Sequence, residues 1–234
     1  METITKNIPA LALRGLTVFP RMTASFDVER EISVRALERA METGQEIFLV
    51  TQRQLGVELP EEKDLYEVGT VARVIQILRA SNSMMRVVME GGSRARLRRL
   101  WQREPFLQAQ VELIGEEKSP RHGTRTEAML RQTYALFGEY SELLPKQPES
   151  IFTTVMDATD PGFLADFIAP NSNLRYQDKQ SVLEELRPLM RLRRVNEILK
   201  REISVIAMEQ DIESKVRERV GQIQKDMILR EQVK

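Results

Sequence analysis

The chain has 234 residues, in which 35 lysines and arginines balance 35 aspartates and glutamates, and it has no cysteine. A zero net charge, held on both sides of residue 118, argues against a dedicated nucleic-acid or acidic-membrane binder, and the lack of cysteine excludes disulfides and thiolate metal sites. Met1 to Lys6 has no apolar run of the signal-peptide kind and no segment approaches the length of a membrane span, so a cytoplasmic protein is expected.

Up to about Ile114 the pattern is β-rich. Leu11 to Leu13 and Ile47 to Thr51 supply short strands, and Glu31 to Thr43 reads as one inserted helix with Ile32, Leu37, Ala40 and Met41 inward and Gly44 as its left-handed stop. Val68 to Leu78 and Met84 to Met89 are β-branched, apolar runs separated by the polar link Arg79 to Ser83, which suits a hairpin. From Phe106 to Leu113, Leu107, Ala109, Val111 and Leu113 alternate with Gln108, Gln110 and Glu112, the pattern of a half-buried strand. Several strands around one helix suggest a small closed or barrel-like sheet.

Gly115 to Gly123 marks a boundary, because charge, Pro120 and Gly123 coincide there. Beyond it the signals are helical. Thr124 and Glu127 have capping-box spacing, and Asp160 before Pro161 is an N-cap followed by proline in the first turn. Shorter helices are expected near Pro148 to Asp157, Pro161 to Ile168 and Gln177 to Arg187. After Pro188 a long helix carries apolar residues at Leu192, Val195, Leu199, Ile203 and Ile206, then at Ile212, Val216, Val220, Ile223 and Met227. At 1.5 Å per residue it spans roughly 60 Å, about twice the width of a small domain, so it is expected to project and connect.

Signals for catalysis are scarce. The chain has neither a G-x-x-x-x-G-K-[ST] phosphate loop nor a G-x-S-x-G nucleophile elbow. The lone His122 has no second histidine for a metal site and is read as a loop histidine. Lys200 and Ser204 are four apart on the long helix, but a lysine activates a serine only when burial lowers its pKa, and this helix is charged all round. No catalytic, cofactor-binding or metal-binding residue is assigned.

Arg94, Arg96, Arg98, Arg99 and Arg103 cluster beside Trp101, a composition also found where single strands of nucleic acid are held. The reading adopted is a strand with Arg94, Arg96 and Arg98 toward solvent and Ala95 and Leu97 toward the core. Met84 and Met85 at the hairpin, with Met22 and Phe19 near another turn, are the candidate binding contacts, because flexible thioethers suit promiscuous surfaces.

Taken in order, these segments resemble the N-terminal region of the Lon family of ATP-dependent proteases. The resemblance runs through Ile8 to Pro20, Ser33 to Glu38, Ile47 to Gln52, Asp64 to Ala72 and Arg86 to Gly91, then Asp160 to Asp166, Asp178 to Glu184 and Leu229 to Lys234. It implies an α+β chain: a PUA-like small β-barrel domain with one inserted helix over 1–117, an α-helical bundle over 118–188, and a long projecting helix over 189–234. That helix would lead to an absent AAA+ ATPase module, where ATP and Mg are expected, and to an absent Ser-Lys peptidase domain. The expected function is substrate recognition and assembly in a homohexameric protease that degrades damaged, misfolded and some short-lived regulatory proteins, with unfolded or exposed hydrophobic segments as partners. The alternatives are a stand-alone PUA-like nucleic-acid-binding module and a purely structural spacer.

Overall fold

The structure, a computed structural model, describes residues 4–79, 84–118, 123–144 and 148–232. Its first half is a sheet with one helix. Strands β1 (Thr5–Leu13), β2 (Thr23–Val28), β3 (Glu46–Thr51), β4 (Val68–Arg79), β5 (Met85–Gln102) and β6 (Gln108–Leu113) are joined in the order β2-β5-β4-β3-β1-β6. A further β5–β6 pairing closes β1, β3, β4, β5 and β6 into a ring, with β2 attached to the first part of β5. The length of β5 makes this closure possible, since it serves β2 and β4 before it reaches β6.

The ring is the closed, barrel-like sheet expected from sequence, but it is not a regular barrel. β1 and β3 are parallel, whereas the other pairs are antiparallel, and register shifts interrupt both β4–β5 and β5–β6. The parallel pair needs a crossover, which is α1 (Glu31–Glu42). Ser33, Ala36, Leu37 and Ala40 form its buried face, and Gly44 ends it at φ +100°. Met41, expected inward, is 40 % exposed because it lies roughly a quarter turn from the centre of that face.

Helices α2 (Thr124–Glu142), α3 (Glu149–Asp157), α4 (Pro161–Asn171), α5 (Tyr176–Glu184) and α6 (Pro188–Gln232) make the second half. Asp160 caps α4 as expected, its Oδ1 accepting from the Phe163 N–H at 2.8 Å. The box expected at Thr124 does not form: Gly123 occupies the N-cap position of α2, without a side-chain cap. Phe137, Tyr140, Leu164, Ile168, Leu192, Val195 and Leu199 are buried together where α2 and α4 meet α6.

Phe19 and Val68 belong to this same helical core, so the sheet and the helices share apolar packing. Polar contacts reinforce the junction: the Gln180 amide donates to the Val68 carbonyl at 2.8 Å, and the Tyr176 hydroxyl donates to the Arg53 carbonyl at 3.1 Å. The partnership of α6 is limited to its first part. Ile203 is its last buried apolar residue among those described, whereas Met208, Ile212, Val216, Val220, Ile223 and Met227 are exposed. Helices gain most of their stability in proteins from a packed apolar face. Removing residues 212–234 is therefore expected to leave the melting temperature within about 2 °C, since each kcal/mol lost is worth about 2–4 °C at this chain length. A thermal melt that falls much further would place this segment in the core.

Candidate functional site

The four candidate contacts separate in the structure. Phe19 is fully buried in the core shared with the helices, and Met85 is 6 % exposed in the sheet core. Both are corrections to the exposure expected of turn residues. Met85 opens β5 opposite Val28 and Arg79, and strand alternation turns it inward with Val87 and Met89 while Arg86 points out to Asp27. Phe19 is held down by its own loop. The Arg21 N–H donates to the Gly91 carbonyl at 2.7 Å and the Gly91 N–H to the Met22 carbonyl at 2.8 Å, while the Thr70 hydroxyl donates to the Val18 carbonyl at 2.7 Å. The approach requires glycine at 91, because a Cβ there would sit 2.0 Å from the Phe19 carbonyl oxygen.

Met22 and Met84 are half-buried and keep part of their surface. Met22 borders a cleft of about 200 Å³ between the β1–β2 loop and α4, lined also by Pro20, Phe163, Phe167 and Pro170. Phe163 and Phe167, one helical turn apart, stack with ring centres 5.7 Å apart, and the Arg21 guanidinium lies 5.6 Å from the centre of the Phe163 ring. Arg21 also pairs with Glu116 at 3.2 Å. The cleft thus presents a thioether, two aromatic faces and two prolines, a surface that accepts an apolar side chain without demanding fixed hydrogen-bond geometry. Sequence reasoning found Met22 and missed Phe163 and Phe167. Their i, i+4 spacing was visible, but only the docking of α4 against the loop makes them a wall of the cleft.

Beneath the cleft lies an ion cluster. The Arg94 Nη2 and Nη1 atoms donate to the two Asp166 oxygens at 2.6 and 2.9 Å, its Nε donates to the Leu183 carbonyl at 2.9 Å, and Arg191 reaches Asp166 at 3.4 Å. All three charged side chains are at least nine-tenths buried. Burial lowers the pKa of Arg191, Asp166 opposes that shift and Arg94 adds to it, yet a guanidinium stays charged at any working pH. Arg94 is therefore the link from β5 to α4, contrary to the solvent-facing position expected for it.

With Arg94 withdrawn, the basic stripe is shortened to its later part, where Arg98, Arg99, Trp101 and Arg103 are exposed. Arg98 pairs with Glu112, Arg103 pairs with Glu61 at 3.6 Å, and Arg96 is half-buried. Lys200 and Ser204 are exposed, and the Ser204 hydroxyl donates to the Lys200 carbonyl at 3.0 Å, an ordinary contact of helix surface. His122 lies outside the described residues. Among the described residues no three His, Cys, Asp or Glu side chains are placed to share a metal ion.

A larger concavity lies elsewhere on the sheet half and was not anticipated. An open groove of about 730 Å³ runs between the N-terminus of α1, the 58–59 loop and the β5–β6 turn. Beside it a pocket of about 250 Å³ is lined by Ile32, Leu59, Pro60 and Leu107, with Arg103 and Glu104 at its edge. Leu59 is 53 % exposed. An apolar leucine beside Pro60 in a polar loop is the sequence signal that would have marked it.

A family model described as the ATP-dependent protease La (LON) substrate-binding domain matches residues 7–201. The chain is 38% identical over 229 residues to a Lon protease of Brevibacillus choshinensis, covering 98% of this chain and 29% of that protein. It is 34% identical over 233 residues to Lon protease 1 of Bacillus subtilis (strain 168), covering 100% of this chain and 30% of that protein. The chain thus spans less than a third of the curated relatives it matches. The fold is similar to the N terminal domain of Mycobacterium avium complex Lon protease, with TM-score 0.66 and 20% identity over 83% of this chain and 98% of that one. It is also similar to a Lon N-terminal domain protein from Xanthomonas campestris, with TM-score 0.55 and 15% identity over 81% and 96%.

Proposed function

Because the chain belongs to the Lon substrate-binding domain family, we propose that it captures unfolded or damaged polypeptides through their exposed apolar segments for an ATP-dependent protease. The sheet part to residue 117 and the helical part over 118–188 hold the client, and the helix over 189–234 serves assembly. The ATPase, with its ATP and Mg, and the Ser-Lys peptidase belong to the remaining length of the relatives, and the assembly is a cytoplasmic homohexamer. Among the described residues no helix is long and apolar enough to cross a membrane.

The observation that carries this reading is the cleft of Met22, Phe163 and Phe167. These three side chains give it an apolar wall, and Arg21, Thr23, Asp166 and Asn171 complete its lining. Exposed apolar side chains distinguish an unfolded chain from a folded one, and a site that takes them without directional bonds serves many clients. The double variant Met22→Ser, Phe163→Ala is expected to weaken binding of a permanently unfolded protein by about 1–3 kcal/mol, in line with the loss of two apolar contacts. Fluorescence anisotropy measures it, with circular dichroism to verify the fold. Unchanged affinity in a folded double variant would remove the cleft from client binding.

Raising the salt concentration separates this reading from nucleic-acid binding. Apolar capture holds or strengthens, whereas neutralising several phosphates makes affinity fall steeply with salt. The internal pairing of Arg94, Arg98 and Arg103 favours the first outcome.

A further inference from the structure

The groove beside α1 has an apolar pocket and a charged rim, and the rim charges are not equivalent. Glu31 pairs with Arg35, and Glu58 pairs with Arg14 at 3.3 Å. Arg30 donates to the Ala12 carbonyl and, at 3.1 Å, to the Gln52 side-chain oxygen. Arg103 donates to the Leu59 carbonyl at 3.2 Å and pairs with Glu61. The arginines of this rim are thus engaged within the chain. Glu104 is the rim charge with no hydrogen bond or ion pair among the described residues, and it borders both the groove and the pocket of Ile32, Leu59, Pro60 and Leu107.

We infer that this groove selects, within an unfolded polypeptide, a large apolar residue flanked by a lysine or arginine. The inference rests on the proposed client capture and names the chemistry of the segment recognised. The apolar residue enters the pocket, whose volume of about 250 Å³ accommodates one leucine or aromatic side chain. The neighbouring residue then lies in the open groove beside Glu104, where an unpaired carboxylate attracts a cation and repels a second carboxylate. Glu104 acts as a specificity residue and Leu59 as the apolar contact. The open groove places no wall around the rest of the segment, so the requirement is confined to these two neighbouring residues.

The test uses the whole chain and short labelled peptides of glycine and serine that carry a central Leu-Lys, Leu-Gln or Leu-Glu, read by fluorescence anisotropy. Leu-Lys is expected to bind about threefold to fivefold more tightly than Leu-Gln, the scale of a partly exposed ion pair, and Leu-Glu more weakly than both. Glu104→Gln should abolish the difference among the peptides without lowering thermal stability, Glu104→Lys should reverse it, and Leu59→Ser should weaken all three. Equal binding of the three peptides by the native chain, or an order unchanged in Glu104→Lys, overturns the inference. If the peptides bind alike while an unfolded protein still binds, the selective groove fails and client capture stands. If neither binds, both fail.

Discussion

Replacing Asp166 by alanine is expected to lower the stability of the whole chain by about 3–5 kcal/mol, because it strands two buried guanidiniums in one step. Asp166 takes two bonds from Arg94, at 2.6 and 2.9 Å, and a longer contact from Arg191, and the side chains of all three residues are almost fully removed from water. A pair of this kind contributes little net stability when both ions are desolvated. Breaking it is costly because the remaining buried charge has neither water nor a counter-ion. Urea unfolding measures the loss. A second variant keeps the argument testable: Arg94→Leu combined with Asp166→Leu should lose clearly less than the sum of the two single changes, since neither ion of that pair is then left alone. A loss under about 1 kcal/mol for Asp166→Ala would mean that water reaches the cluster and that Arg94 does not bind the sheet to α4.

The second large effect is expected at Phe19, where alanine should cost about 3–5 kcal/mol, the usual range for emptying a buried aromatic site. The ring is fully buried and packs in the core that the sheet shares with the helices, so the cavity would open at the junction of the two halves. Gly91→Ala attacks the same place from the other side. Its Cβ would lie 2.0 Å from the Phe19 carbonyl oxygen, forcing apart the loop and β5, which two backbone hydrogen bonds hold together. Met22→Ser, three residues from Phe19, should cost far less, because Met22 is half-buried at the cleft rather than enclosed. Thermal melts of the three variants provide the comparison. Unchanged stability in Phe19→Ala, accompanied by weaker client binding, would return Phe19 to the surface.

Much of the local structure was legible without coordinates. Asp160 followed by Pro161 announces the start of α4, and the alternation of Leu107, Ala109 and Val111 announces β6, because caps and strand faces are set by neighbours within a few residues. The strand β2 was missed: Thr23, Ser25 and Asp27 dilute its apolar pattern, and what makes it a strand is pairing with β5, more than fifty residues away. The capping box at Thr124 was a spacing without a bond. For the candidate site, sequence offered Met22 but not its aromatic wall, and it did not reveal the groove beside Glu104, whose three sides come from distant segments.

The α+β class, the long helix after Pro188 and membership of the Lon substrate-binding domain family were legible in the chain alone, since each is written in local periodicity or in ordered residue identities. Which side chains are available to a partner followed from packing between distant elements. Arg94 and Arg98 are the same residue type four positions apart on one strand, yet one is sealed against Asp166 and the other, at a shift of the β5–β6 register, lies on the surface. The early and late parts of α6 carry similar apolar stripes, yet one is buried and the other exposed. The physical reason is the same in both cases: a side chain's spacing fixes the face it occupies, whereas its burial depends on whether another element packs on that face.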